Sequence, residues 1–160
     1  MVFPRDYGSH PDFRTEWWYV TGYANSRDAS GPREFGFQLT FFRSRVAATQ
    51  AMKSAFAARQ LIFAHAALTD VRGKKLVHDQ RIARSSGHAG FDLASASQND
   101  TAIMLRDWSL FHNGRSYASV LPAHGFGLDL HFGETQTVLL QGDQGLSRKG
   151  PQLGEVSHYY

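Results

Sequence analysis

The chain of 160 residues contains no cysteine, and this absence excludes several kinds of chemistry. Without a thiol there is no disulfide, no cysteine nucleophile and no cysteine-ligated zinc or iron–sulfur site. A cysteine-free domain suits the cytosol and the periplasm equally, so the compartment stays open. The sequence also lacks an uncharged apolar run of about 18 residues, and residues 1–6 lack the apolar stretch of a signal peptide. We therefore expect no membrane-spanning helix, while a signal removed ahead of residue 1 stays compatible with the sequence.

The excess of charge of one sign is also small. There are 17 Lys and Arg residues against 14 Asp and Glu residues, a net charge of +3. The basic residues are scattered and form no block of about five or six, so we expect no nucleic-acid partner. The chain is instead rich in apolar side chains, with 42% hydrophobic and 13% aromatic residues. Its length fits one domain, since domains usually have about 100–200 residues.

The dominant hydrophobic period along the chain is two, which is typical of strands. In 34–43, for example, Phe35, Phe37, Leu39 and Phe41 share one face. The pattern predicts strands at 14–23, 34–43, 61–71, 75–83, 91–93, 102–105, 108–112, 115–121, 127–132 and 137–141, with 25–32 as a polar connection. The Asn113-Gly114 pair between alternating segments predicts a hairpin in which both residues have positive φ.

One segment departs from the strand pattern. Residues 46–59 are rich in alanine and lack turn residues, which predicts a short helix inside a long strand connection. Such a helix either covers one end of a sheet or acts as a lid. Many short antiparallel strands indicate an all-β barrel or a sandwich, and a barrel of about eight strands leaves room for a small ligand.

Several segments resemble one family in order along the chain. HPDFRTEWWYVTG at 10–22 resembles the opening motif of the hydroxyneurosporene synthase family, also called carotenoid 1,2-hydratase, with its AttH-like relatives. Further matching segments are 35–43, 64–70, 107–108, 140–143, 147–150 and SHYY at 157–160. The double tryptophan and the SHYY segment are the most specific of these motifs.

The resemblance implies a lipocalin-like antiparallel β-barrel over 1–160, as the N-terminal half of a protein with a second similar domain. It also implies an apolar, isoprenoid- or lipid-like ligand and, in the carotenoid enzymes, addition of water to a terminal C=C bond. Other relatives are labelled as secreted hydrolases or are encoded beside ABC transporters. We therefore expect a periplasmic or membrane-associated protein, with the cytoplasm as an alternative, and an association with a transporter or the membrane surface as an open possibility.

Hydration of an alkene needs a proton donor, a placed water and a cavity that stabilises a carbocation, but no metal or cofactor. Glu16, His65 and Asp107 are the predicted catalytic residues, because each offers a tunable acid beside aromatic or small neighbours. Each also has a structural alternative. Glu16 could pair with an arginine at the rim, His65 could be a hydrogen-bonded core residue, and Asp107 could accept N–H groups in a turn.

Aromatic side chains would wall the cavity and stabilise the cation. The predicted ligand-binding residues are Trp17, Trp18, Trp108, Phe37, Phe63, His158, Tyr159 and Tyr160, although the last three could instead pack between domains. The chain has no G-x-S-x-G motif and no metal-binding histidine spacing. Asp129 and His131, on one face of a strand, leave a minor metal alternative. A non-catalytic lipophile carrier and a purely structural half-domain remain the competing functions.

Overall fold

The computed structural model describes residues 1–29, 31–88 and 90–160. Within them, antiparallel strands form three sheets, which confirms the all-β prediction. The strands are β1 Thr15–Asp28, β2 Gly31–Arg45, β3 Gln60–Asp70, β4 Lys75–Ser85, β5 Ala94–Ala96, β6 Ala102–Leu105, β7 Trp108–His112, β8 Ser116–Ala123, β9 Phe126–Gly133, β10 Leu146–Arg148 and β11 Val156–His158. None of the helical turns in these residues is long and apolar enough to cross a membrane.

Strands β1 to β4 form a four-stranded sheet in sequence order. Successive side chains of a strand point to opposite sides, so the register fixes two faces of this sheet. Trp18, Phe41 and Ala64 are aligned across β1, β2 and β3 and belong to the face that packs into the core, here called the inner face. The next row, one residue along each strand, belongs to the outer face.

The core lies between this inner face and the five-stranded sheet β5-β6-β7-β8-β9. Its buried members are Leu39, Phe41, Ile62, Ala64, Ala66, Ala83, Ala94, Ile103, Leu105, Trp108, Leu110, Leu121 and Leu128. Trp108 is the largest of them and has no exposed surface. Its indole N–H donates to the carbonyl of Pro122 at 2.8 Å, and the guanidinium of Arg81 lies 4.9 Å from its ring centre. The indole N–H of Trp108 therefore has a hydrogen-bond acceptor, and its ring contacts residues of both larger sheets.

The described strands do not close into a single hydrogen-bonded barrel. The four-stranded sheet ends at β1 and β4, and the five-stranded sheet ends at β5 and β9. The short β10–β11 hairpin forms a third sheet of its own. The two larger sheets thus pack face to face, and β1 has no strand partner on its second edge among the described residues.

The helix predicted at 46–59 is wrong: only Ala47–Thr49 forms a single 3-10 turn. The segment closes on itself instead, because the N–H of Val46 donates to the carbonyl of Arg59 at 2.9 Å. The side-chain amide of Gln50 donates to both of those residues' carbonyls, at 2.8 and 2.7 Å. These loop-closing bonds replace the helical ones, so the alanine propensity of the segment is overridden.

Three further strand boundaries differ from the prediction. β1 extends to Asp28 and β2 begins at Gly31, so both strands extend into the predicted connection 25–32, where their polar ends pair as a two-stranded ribbon. Residues 91–93 and 137–141 are not strands, and the nearby strand β5 begins at Ala94. The hairpin at Asn113-Gly114 is confirmed between β7 and β8, but only Gly114 takes a positive φ, of 69°.

Asp79 on β4 joins the two larger sheets. Its carboxylate accepts the N–H of His124, in the turn between β8 and β9, at 2.9 Å, and pairs with Arg81 at 2.7 Å. The pKa of Asp79 is lowered to about 2 from 3.8. The hydrogen bond from the His124 N–H is the largest cause, and the hydrogen bond from Arg81 is the next. Because the folded-state pKa is the lower one, the stabilisation is present above about pH 4 and is lost as the pH falls toward 2.

Replacing Asp79 with alanine is expected to lower the free energy of unfolding at pH 7 by about 1–2 kcal/mol, because the His124 N–H loses its acceptor. Asp129→Ala on β9 is the matched control, since that side chain is 73% exposed. Urea unfolding at pH 7 and at pH 2.5 measures the free energy of unfolding of both variants and of the wild type. If the difference between Asp79→Ala and the wild type is as large at pH 2.5 as at pH 7, the ionised Asp79 carboxylate is not the stabilising group.

Candidate ligand cavity

A cavity of about 940 Å³ lies along the free edge of β1. Because β1 is an edge strand, side chains of both its faces, from Glu16 to Thr21, reach the cavity. The five-stranded sheet contributes Leu110, Tyr117 and Phe132 to the opposite wall. The C-terminal segment 156–160 also contributes to its lining. We call this space the β1 cavity.

Glu16 is a charged side chain in the lining of the β1 cavity. Its carboxylate pairs with the Nε of Arg43, its cross-strand neighbour on the inner face, at 2.5 Å. The same carboxylate accepts the backbone N–H of His10 at 2.8 Å, and the Nδ1 of the His10 ring lies 2.7 Å from it. The Arg43 side chain is fully buried, whereas that of Glu16 is 11% exposed. The pairing with an arginine, considered as the structural alternative for Glu16, is therefore present.

Arg43 also ties the N-terminal loop to the sheet. Its Nη2 donates to the carbonyls of His10 and Phe13, each at 2.7 Å. The His10 ring is bound on its other side by Asp6, at 3.1 Å. Burial would raise the pKa of Asp6, but hydrogen bonds from the Val2 N–H and from His10 outweigh it, and the pKa is lowered. The loop thus brings Asp6 and His10 into the cavity lining, beside Glu16.

Aromatic rings form the adjacent wall. The Trp17 ring meets the Tyr159 ring edge to face at 5.5 Å between centres. Trp18 packs against the core, and its indole N–H donates to the Tyr7 carbonyl at 3.3 Å. The ring of His158 stacks with that of Phe13 at 6.2 Å. The structure thus brings together Glu16, Trp17, Trp18, His158, Tyr159 and Tyr160 of the predicted site residues.

The other predicted site residues lie elsewhere. His65 belongs to the outer face of β3, where its Nε2 lies 3.3 Å from the side-chain amide nitrogen of Gln38. Phe63 is on the same face and stacks with Phe42 at 4.6 Å. Asp107 is 55% exposed and lies 3.7 Å from Arg81.

Two predicted aromatic residues belong to the core. Trp108 is a fully buried core residue, and Phe37 packs against the core beside Phe132. Neither lines the β1 cavity. Glu16 is therefore the one predicted catalytic residue that does so, and the catalytic roles of all three remain predictions.

A second polar cluster was not predicted. The Nδ1 of His112 lies 2.8 Å from a carboxylate oxygen of Asp100, and its Nε2 lies 3.2 Å from Glu134. Only 4% of the His112 side chain is exposed. The three residues are far apart in sequence, so no local motif reveals them. The hairpin register is the one usable signal, because it places Tyr117 directly opposite His112.

Tyrosine rings surround His112. The ring of Tyr117 lies 4.5 Å from that of His112, and the ring of Tyr7 lies 4.8 Å from it. Burial is the main cause of a pKa of Tyr117 raised to about 12; the negative charges of Glu134 and Asp100 act in the same direction. Burial likewise raises the pKa of Tyr7 and of Tyr160. These phenols therefore keep their protons at neutral pH.

A smaller cavity of about 290 Å³ adjoins this cluster. Tyr7, Glu134 and Gln141 are among its lining residues, and Tyr117 and Tyr160 line both this cavity and the β1 cavity. We call it the tyrosine cavity. The two shared rings therefore lie where the β1 cavity and the tyrosine cavity adjoin.

Asp129 and His131, the minor metal alternative, approach to 3.5 Å, and both side chains are largely exposed. Across residues 1–29, 31–88 and 90–160, no group of three or more His, Cys, Asp or Glu side chains is arranged to hold a metal ion.

Comparison with known proteins places this architecture in a family. The profile of the AttH-like family matches residues 1–160. A Nitrosomonas europaea protein of known crystal structure, provisionally designated AttH, is 41% identical and superposes with a TM-score of 0.77. The match covers 98% of this chain but 44% of that protein. None of the curated proteins compared with the chain matches it. The chain therefore belongs to the AttH-like family, a carotenoid hydratase-like family of lipocalin-like domains.

Proposed function

We propose that this domain binds an apolar, isoprenoid- or lipid-like molecule in the β1 cavity. The observation that carries the proposal is the cavity itself: about 940 Å³, with Trp17, Trp18 and Tyr159 in its wall beside polar groups such as Glu16 and His158. Ligand sites are usually concave, mainly apolar and about 300–1,000 Å³, with a few placed polar groups. Membership of a lipocalin-like family supports the same function.

A second domain of the same protein is the proposed partner at this cavity. The free edge of β1 gives the cavity an open side, which further strands could cover as in a lipocalin-like barrel. The Nitrosomonas europaea relative is more than twice as long as the matched part, which supports a longer protein here as well. An association with a transporter or the membrane surface, in the periplasm, belongs to the same proposal but rests on the family resemblance.

Hydration of a terminal C=C bond is the most concrete reaction we propose. A protonated Glu16 would transfer its proton to the CH carbon of the terminal (CH3)2C=CH unit, leaving a tertiary carbocation on the dimethyl-substituted carbon beside the Trp17 and Trp18 rings. A water molecule would then bond to the cation and return a proton to the Glu16 carboxylate. The position of Glu16 in the cavity wall supports this role.

The second candidate is a carrier that binds its ligand without changing it. Both carboxylate oxygens of Glu16 already accept hydrogen bonds, from His10 and from Arg43. A carboxylate engaged in this way suits a structural role, because its lone pairs are satisfied by the protein. The carrier hypothesis and the hydratase hypothesis share the ligand class and differ only in the fate of the ligand.

Titration with farnesene, a hydrocarbon with a terminal isoprenoid C=C bond, is expected to quench tryptophan fluorescence and to saturate near one equivalent. Trp17→Leu should weaken binding about tenfold, because an aromatic contact worth about 1.4 kcal/mol is lost. Tyr23→Phe is the control, since Tyr23 is 78% exposed and lies outside the cavity lining. Absence of saturable binding would contradict the proposal.

Mass spectrometry of the recovered ligand separates the two candidates. A hydratase returns farnesene one water heavier, and Glu16→Gln should abolish this conversion while binding persists. A carrier returns farnesene unchanged. If conversion is unaffected in Glu16→Gln, the proposed role of Glu16 is wrong.

A further inference from the structure

Three tyrosine side chains converge where the two cavities meet. The Tyr7 ring lies 5.6 Å from that of Tyr160 and 4.8 Å from that of His112. The Tyr117 ring lies 4.5 Å from that of His112. Tyr117 and Tyr160 both line the β1 cavity as well as the tyrosine cavity. A molecule in the β1 cavity therefore meets phenol groups where this cavity adjoins the tyrosine cavity.

These phenols can donate hydrogen bonds. Burial raises the pKa of Tyr117 to about 12 and raises that of Tyr160, so both are neutral at physiological pH. A neutral phenol offers one O–H donor, and its natural partner is an oxygen acceptor. The Thr101 side chain is a hydrogen-bond partner of both phenols in the protein. A hydrocarbon ligand has no acceptor, so it would add no further partner.

The charge behind the phenols is negative. His112 is bound by Asp100 on one side and Glu134 on the other. An imidazolium with two carboxylates carries a net charge of −1, and a neutral imidazole with both carboxylates ionised carries −2. Glu134 also lines the tyrosine cavity. An anionic group at the junction would be repelled, because like charges disfavour each other in a partly buried site.

We propose that the junction of the two cavities recognises a neutral oxygen, such as a ketone, aldehyde or alcohol, at one end of an otherwise apolar ligand. The tail would occupy the β1 cavity, and its oxygen would accept a hydrogen bond from Tyr117 or Tyr160. This inference rests on the proposed apolar-ligand function and narrows its ligand class. It assigns His112 and its two carboxylates the role of holding the tyrosine rings and of excluding anions.

The test compares farnesene, farnesol, farnesyl acetone and farnesoic acid by tryptophan quenching at pH 8. Farnesol and farnesyl acetone are expected to bind about tenfold more tightly than farnesene, the effect of one retained hydrogen bond. Farnesoic acid should bind at least about tenfold more weakly than the ketone. Tyr117→Phe should reduce the preference of the ketone over farnesene to about threefold or less. The readout is the ratio of the two affinities, because Tyr117 also lines the β1 cavity in which farnesene would bind.

A second variant tests the charge independently. Glu134→Gln should raise the affinity for farnesoic acid about tenfold and leave that for farnesene unchanged. Tyr23→Phe, an exposed tyrosine, is the control and should alter none of the four affinities.

Equal affinity for the ketone and farnesene in the wild-type protein would overturn the inference while leaving the proposed function standing. So would equal weakening of all four ligands by Tyr117→Phe, which indicates a merely structural ring. If farnesoic acid is the tightest ligand, the charge argument is wrong and the inference falls. If none of the four binds, the proposed function fails and the inference fails with it.

Discussion

Replacing Arg43 with methionine is expected to lower the free energy of unfolding by about 3–5 kcal/mol. The Arg43 side chain is fully buried, and its removal leaves the Glu16 carboxylate, only 11% exposed, without its cation. An uncompensated charge in such a site costs more than the intact pair contributes. The carbonyls of His10 and Phe13 also lose their donor, so the N-terminal loop should separate from the sheet.

The double variant Glu16→Gln/Arg43→Met separates the two causes. Removing the unpaired Glu16 charge should restore at least about 1.5 kcal/mol of the free energy of unfolding that Arg43→Met loses. The effects of the two substitutions are therefore expected to be non-additive. Chemical denaturation of the wild type, both single variants and the double variant completes the cycle. Arg45→Met, in the same strand, is the control for loss of an arginine. Strict additivity of Glu16→Gln and Arg43→Met would mean that the two side chains are not coupled.

Replacing Trp108 with alanine is expected to destabilise the protein by about 3–5 kcal/mol, as is usual when a large core side chain is removed. Trp108 has no exposed surface and packs between the two larger sheets. The substitution leaves a cavity and also removes the indole N–H that donates to the Pro122 carbonyl, so this carbonyl loses its donor. Arg81 loses the ring over which its guanidinium lies. Thermal unfolding followed by circular dichroism measures the loss.

Trp17→Ala is the matched control for Trp108→Ala. Trp17 belongs to the free edge strand β1 and lines the cavity rather than the core. We expect a loss of stability of about 1 kcal/mol or less, together with weaker ligand binding, since partly exposed positions outside the core tolerate substitution. Equal destabilisation by Trp17→Ala and Trp108→Ala would contradict the division into core and cavity.

Much of the sheet structure is predictable from the sequence, because the side-chain period of a strand is local information. The alternation of Phe35, Phe37, Leu39 and Phe41 predicts strand β2 and the shared face of these four side chains, of which Leu39 and Phe41 are buried. The Asn113-Gly114 pair marks the hairpin between β7 and β8 for the same local reason. Where a segment has no regular period, as in 46–59, side chains such as Gln50 decide its shape by binding backbone at the far end of the loop.

The candidate site is less predictable, because pairing across strands assembles it. Glu16 and Arg43 are brought into contact by the β1–β2 register. They are 27 positions apart in the sequence, and this spacing does not predict the contact. His65 shows why the face on which a predicted side chain lies is also not predictable. Its strand and its small neighbours are evident in the sequence, but periodicity alone does not say which face of a strand meets the core. The register places it on the outer face.

Photo-crosslinking with a diazirine-bearing farnesene, followed by tryptic peptide mapping, tests the location of the ligand directly. Labelling is expected in peptide 15–27, which carries the β1 wall of the cavity, and in 150–160, which carries the C-terminal wall. Excess unlabelled farnesene should compete with both. Competed labelling confined to peptide 60–72, which contains Phe63 and His65 on the outer face, would contradict an apolar ligand in the β1 cavity.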